Sequence, residues 1–295
     1  MKTYATIETE LNQRLLEVRL NRPQRRNAFT VEMSDELEDV FRQASRDDEV
    51  GAVILTGTGP SFCVGMDLSV GGNVFGLNEA LDPSLNDICE RFEDPDFVHG
   101  VRDTGGRVTL SIFACNKPVI AAINGDAVGI GATMTLAADF RLCATSARFG
   151  FVFGRIGIVP EACSSWFLPR LVGIERALEW TLTADLVAAD EAQRSGLVRA
   201  VVGDDELLPE ARRLAHRLID NRSPVAIAMT RQMLWRNSAL SSPLEAHRID
   251  SLVIHHLAKR DGKEGVQAFL EKRPARFASK VSSDMPSIYP WRQDQ

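Results

Sequence analysis

Glu161 follows Pro160 directly and sits among Ile158, Val159, Ala162 and Trp166, an apolar setting for an ionisable group. Two roles fit that setting. In the first turn of a helix, the carboxylate complements the positive end of the helix dipole. When partly desolvated, it instead holds a proton more tightly than an exposed carboxylate, and so exchanges protons near neutral pH. Spacing alone leaves both open. The run Asn124–Gly131 (NGDAVGIG) is glycine-rich and lies between a strand-like and a helix-like segment. It is a tight turn, or a turn whose free N–H groups stabilise negative charge. Its glycines at 125, 129 and 131 miss the dinucleotide spacing, and no Gly-Lys-Ser/Thr follows. Gly65-Met66-Asp67 offers a second turn of exposed amides. Phe149, Phe151 and Phe153 alternate, so they share one side of a strand, as core or as the wall of a ligand pocket. The five histidines (99, 216, 247, 255 and 256) show no ligand spacing, so no metal is expected. A G-x-S-x-G nucleophile elbow is absent.

The elements that position these groups alternate strand and helix. Leu16, Val18 and Leu20 alternate with Glu17 and Arg19, which predicts a strand over 15–20. Thr30 then caps a helix whose apolar face is Met33, Leu37, Val40, Phe41 and Ala44. Residues 52–56 (AVILT) read as a buried strand, so the class is α/β. Residues 68–106 are the least regular stretch, running from Gly71, Gly72 and Gly76 past Pro83 and Pro95 to Gly105-Gly106, with a short helix near Ile88–Phe92. A connection of that length is usually functional. A helix over 107–115, a strand at VIAAI, a small-residue helix over 131–138 and strands over 139–143 and 148–152 follow. The next helix starts at Ile158-Val159-Pro160-Glu161, with Pro160 where the helical N–H is unpaired anyway. Beyond Val202, segments 206–220, 224–239 and 243–260 are helix-like, with Pro224 and Pro243 near helix starts and Ser241 or Ser242 as a cap. The chain therefore divides into a core, 1–200, and a helical region, 201–295.

Composition narrows the partners. In 295 residues, 34 basic and 40 acidic side chains leave a net charge of −6, so no basic field draws a nucleic-acid backbone or an anionic membrane. Five cysteines, an odd number without C-x-x-C, read as free thiols in a reducing compartment. The opening MKTYATIETE lacks a signal-peptide core and no apolar run reaches eighteen residues, so the expected location is cytoplasmic.

Several segments, in order, resemble the enoyl-CoA hydratase/isomerase (crotonase) family. They include Leu20-Asn-Arg-Pro23, Asn27-Ala-Phe29, Val53-Ile-Leu-Thr-Gly57, Phe62-Cys-Val-Gly-Met-Asp67 and Lys117-Pro-Val-Ile-Ala-Ala-Ile-Asn-Gly125. Gly129-Ile-Gly131, Ala138-Asp139, Ala147-Arg-Phe-Gly150, Gly157-Ile-Val-Pro-Glu161 and Leu171-Val-Gly173 continue the series. Ala189-Asp-Glu-Ala192, Gly196-Leu-Val198 and Glu271-Lys-Arg-Pro274 complete it.

The resemblance implies a crotonase-like (ClpP/crotonase) spiral of ββα units with a C-terminal helical region, assembled as a homotrimer or a dimer of trimers. It implies an acyl-CoA thioester as substrate, with coenzyme A part of that substrate and no further cofactor. The matching oxyanion-hole amides are those of Met66 and Ile130. The positions matching the two hydratase glutamates hold Thr133 and Phe153, neither of which is a carboxylate. Pro160-Glu-Ala-Cys-Ser-Ser165 instead resembles the Pro-Glu-Gly-Cys-Ser-Ser of peroxisomal-type Δ3,Δ2-enoyl-CoA isomerases, whose catalytic Glu falls on Glu161. Phe151, Phe153, Thr133 and Trp166 are then the expected acyl-pocket residues. Arg25, Ala28, Phe269 and Lys272 are the expected CoA contacts, the last two across a subunit boundary. Asp82, Asp87, Glu90 and His99 in the long segment are further sources of a catalytic group.

Overall fold

The computed structural model describes residues 2–71 and 73–287. Its strands form two sheets. The larger has the order β1 (Ile7–Asn12), β2 (Leu15–Leu20), β3 (Ala52–Gly57), β5 (Val119–Ile123), β7 (Phe140–Ala144) and β10 (Ala200–Val202). The smaller has the order β4 (Ser61–Cys63), β6 (Asp126–Val128), β8 (Arg148–Gly150) and β9 (Leu186–Ala188). The β1–β2 and β8–β9 pairs are antiparallel, and the rest are parallel. The helices are α1 (Val31–Arg46), α2 (Leu85–Glu90), α3 (Pro95–Gly100), α4 (Thr104–Ala114), α5 (Ile130–Thr133), α6 (Ser164–Val172) and α7 (Ile174–Thr183). Then come α8 (Ala189–Arg194), α9 (Leu207–Ile219), α10 (Pro224–Asn237), α11 (Pro243–Ala258), α12 (Asp261–Leu270) and α13 (Val281–Asp284).

The pairs β3/β4, β5/β6 and β7/β8 each send one strand to each sheet before a helical connection carries the chain onward. That repetition is the spiral of ββα units. Both faces of the larger sheet are covered, which is why its inner strands lack polar alternation. Val53, Leu55, Val119, Ala121 and Ile123 join the core shared with the smaller sheet and α1. Ala52, Ile54, Ile120 and Ala122 meet Leu207, Ala211, Leu214 and Ile219 of α9 on the other face. Each large side chain buried there contributes about 1.5–3 kcal/mol. Arg231 of α10 ties the helical region to the sheet. Its Nε donates to Asp139 Oδ2 (2.7 Å) and its Nη atoms to the carbonyls of Ile112 (2.9 Å), Phe113 (2.7 Å) and Cys115 (2.6 Å).

Several elements differ from the sequence expectation. The helix expected at 158–161 begins at Ser164, because Ala162 and Cys163 both take left-handed backbone (φ 53° and 56°) and break the helical path. Glu161 therefore lies ahead of the helix, and the dipole role falls away. The helix expected at 107–115 begins at Thr104, where Asp103 caps it and Gly105-Gly106 form its first turn. The helix expected over 131–138 is one α turn followed by a 3-10 turn, Met134–Ala137. Strands β1, β4, β6, β9 and β10 carry too little periodicity in sequence to stand out; four of them span only three residues.

Candidate active site

Two turns from successive units of the spiral meet beside the smaller sheet. In the first, Phe29 N donates to Gly65 O and Asp67 N to Phe29 O, both at 2.8 Å, which locks 65–67 along the chain at Phe29. In the second, Gly129 N donates to Gly150 O at 2.8 Å, and the chain reverses at Gly129 with φ 53° and ψ −126°, a conformation closed to residues bearing a Cβ. A Cβ on Gly129 would lie 3.8 Å from Gly65 Cα, so the two turns are side by side. Among the described residues, the amides of Met66 and Ile130 donate no hydrogen bond, and both residues line one cavity of about 320 Å³. Unspent donors at a cavity wall suit an oxygen that gains negative charge.

Glu161 lines the same cavity. Its Oε1 accepts from the Thr133 hydroxyl at 2.6 Å, while Oε2 accepts no hydrogen bond from the described residues and packs against Gly105. Burial pushes the Glu161 carboxyl up to about 8, the negative field of Asp103 adds to that, and the Thr133 hydrogen bond opposes it. A carboxyl in that range exchanges protons readily near neutral pH.

Asp103, the other cavity carboxylate, is committed differently. Its oxygens accept from Gly105 N (3.0 Å), Gly106 N (2.9 Å) and Ala162 N (2.5 Å). It caps α4 and, from the far side, fixes the left-handed turn that follows Glu161. The start of α4 is itself pinned to α1, by Ser34 Oγ donating to Thr104 O (3.1 Å) and by Arg107 paired with Asp35 (2.7 Å) and Glu38 (2.6 Å).

Apart from Thr104, the remaining walls are apolar or glycine, among them Leu68, Phe75, Val101, Val152, Phe153 and Ile158. A larger groove of about 780 Å³ runs along α10 by Leu234 and Trp235. Its one carboxylate, Asp139, is already held by Arg231, the Val119 amide and the Trp235 indole. The smaller cavity is where a free carboxylate oxygen and unspent amides coincide.

Of the residues expected in the acyl pocket, Phe153 lines the cavity. Thr133 is fully buried behind Glu161 and donates to its Oε1 instead of forming a wall. Phe151 and Trp166 are corrections. Phe151 stacks on Trp180 in the core (5.8 Å between centroids, 5° between planes) because residues 151–153 leave the strand after Gly150. Trp166 is drawn by α6 into an edge-to-face cluster with Phe113 and Phe167, under Arg170. Arg25 is exposed in the 3-10 turn Pro23–Arg25, and Ala28 is buried; neither lines the cavity. Phe269 and Lys272 are exposed around the end of α12 and also lie off the cavity. Asp82, Glu90 and His99 face solvent, and Asp87 closes the capping box of α2 with Ser84. The long segment does supply a cavity carboxylate, but it is Asp103. The sequence signal for it was an Asp placed one residue before a run with Val108 and Ile112 at helical spacing.

Comparisons with known proteins identify the family and agree with the fold. Residues 10–91 and 84–280 match the sequence model of the family described as enoyl-CoA hydratase/isomerase. An enoyl-CoA hydratase of Alternaria alternata is 38% identical over 260 residues, 88% of this chain and 81% of that one. The 1,2-epoxyphenylacetyl-CoA isomerase of Escherichia coli is 35% identical over 263 residues, 88% of this chain and 94% of that one. The crystal structure of an enoyl-CoA hydratase from Bacillus anthracis superposes with a TM-score of 0.77 at 27% identity, covering 92% of this chain and 99% of that one. The ββα spiral, the paired glycine turns and these matches together make the chain an enzyme of the enoyl-CoA hydratase/isomerase, or crotonase, family.

Proposed function

We propose that the enzyme moves a double bond in an acyl-CoA thioester from C3–C4 to C2–C3, with Glu161 as the only proton carrier. The observation that supports this most is that, among the described residues, Glu161 is the one cavity carboxylate with an uncommitted oxygen, since Asp103 accepts three backbone N–H groups. Glu161 takes the proton from C2 as that C–H bond breaks. The electron pair moves through the chain to the thioester oxygen, held by the amides of Met66 and Ile130, each such donor contributing about 3 kcal/mol. Glu161 then returns a proton to C4, and the double bond forms between C2 and C3. The charge on Glu161 is regenerated, so atoms and electrons balance without a cofactor. Phe153 and its apolar neighbours keep water from the dienolate, which disfavours hydration.

Hydration of a 2-enoyl thioester is the second reading, because relatives carry that name and because Asp103 also lines the cavity. Incubating the enzyme separately with 3-enoyl-CoA and 2-enoyl-CoA and resolving the products tests both. Conversion of 3-enoyl-CoA to 2-enoyl-CoA without 3-hydroxyacyl-CoA supports isomerisation; accumulation of 3-hydroxyacyl-CoA from 2-enoyl-CoA overturns it. The proposal extends to the assembly. Leu252, Ile254, Val266, Phe269 and Leu270 are exposed on α11 and α12, which supports their burial in an oligomer; in the trimer that the family resemblance implies, Phe269 and Lys272 would approach CoA on a neighbouring subunit. Sedimentation of the purified enzyme as a monomer would remove that extension.

A further inference from the structure

We propose that Thr133 is a positioning residue that divides the two oxygens of Glu161, holding Oε1 in place and leaving Oε2 as the oxygen that carries the proton. This rests on the isomerase reading above and concerns how the same carboxylate works.

Thr133 is fully buried, and its hydroxyl has one hydrogen to give. Two acceptors are within reach: Glu161 Oε1 at 2.6 Å and Gly129 O at 3.2 Å. The Gly129 carbonyl already accepts from Ala132 N and Thr133 N, both at 2.9 Å. The hydrogen therefore goes to Glu161, where it meets the shorter distance and, once the carboxyl has lost its proton, the charged acceptor. No described residue donates to Oε2, which lies against Gly105 where a Cβ would come within 2.4 Å. Gly105, Ile130 and Glu161 all line the cavity, and an added Cβ at Gly105 would meet both Oε2 and the Ile130 side chain, so Oε2 lies at the same wall as the residue with the unspent amide.

The division has a chemical consequence. A carboxylate free to rotate presents either oxygen, and its lone pairs sweep past both C2 and C4 without settling. With Oε1 tethered, Oε2 alone breaks the C2–H bond and forms the C4–H bond. Oε1 stays an acceptor for Thr133 whether or not Oε2 is protonated. The tether also stabilises the charged form of Glu161, in line with the direction in which Thr133 moves its titration.

The test compares Thr133→Val, which keeps the shape and removes the hydroxyl, with Thr133→Ser, which keeps the hydroxyl. Rates of 3-enoyl-CoA isomerisation are measured from pH 6 to 10. For Thr133→Val, kcat should fall about 10- to 100-fold with KM little changed. The rising limb of its pH profile should move up by about one pH unit, and Thr133→Ser should restore both. A merely structural role would lower kcat without moving the limb. A Thr133→Val enzyme with the parental kcat and limb overturns the proposal, as does a Thr133→Ser enzyme that resembles Thr133→Val. Glu161→Gln is run alongside: if it keeps the parental rate, the isomerase reading itself has failed, and if it is inactive while Thr133→Val is unaffected, only the positioning role has failed.

Discussion

Gly105→Ala separates the placement of Glu161 from the stability of the fold. Position 105 lies in the first turn of α4, where alanine is a better helix former than glycine and restricts the unfolded chain, a gain of about 0.4–1 kcal/mol. The added Cβ would stand 2.4 Å from Glu161 Oε2 and 2.4 Å from Ile130 Cδ1. Ordinary contacts are about 3.5 Å or more, so one or both side-chain ends must retreat by roughly 1 Å. Both are movable ends, so the strain offsets the helical gain and leaves stability within about 1 kcal/mol of the parent. Catalysis is less forgiving: a 1 Å misplacement of a reacting group costs about 100-fold. The expected enzyme melts within about 4 °C of the parent and isomerises 3-enoyl-CoA about 100-fold more slowly, with the loss in kcat. A thermal melt and initial rates on one preparation measure both. Parental kcat in a folded Gly105→Ala enzyme would refute the placement of Oε2 at the acyl chain.

Asp103→Asn removes the negative charge beside Glu161 and keeps one acceptor oxygen for the backbone amides, losing the contact at whichever amide its NH2 group then faces. The Glu161 titration then falls from about 8 toward its ordinary range, so the rising limb of the pH–rate profile moves to lower pH, opposite to Thr133→Val. Arg231→Ala leaves Asp139 without its cation and removes a shared donor from three carbonyls; the loss of stability should be about 3–5 kcal/mol, read by chemical denaturation. Gly129→Ala forces a side chain into a φ/ψ combination reserved for glycine and moves the Ile130 amide, so its kcat should fall about 100-fold or more in single-substrate kinetics.

The inner strands of the larger sheet were legible because β3 and β5 are apolar on both faces, and α1 because Thr30 and its apolar stripe mark start and face together. Glycines at 65 and 129 pointed to turns, and the family resemblance then named the two amides. What stayed hidden depends on chain segments distant in sequence. Asp103 acts on Ala162, 59 residues away, and no local pattern reports that hydrogen bond. The helix start at Ser164 was misplaced for the same reason: the left-handed pair Ala162-Cys163 is held by partners outside the segment, against its local preference. Trp166, expected in the acyl pocket from the resemblance, is rotated toward Phe113 and Phe167 by the helical turn from Ser164, a contact no local pattern reports.

The rate of 3-enoyl-CoA isomerisation by Glu161→Gln at pH 8 tests the proton carrier most directly, provided acyl-CoA binding is measured on the same protein. The amide keeps the size of the side chain and its contact with Thr133 but cannot take a proton. The expected result is undiminished binding with kcat reduced about 100- to 10,000-fold; turnover near the parental rate would mean that a different group moves the proton.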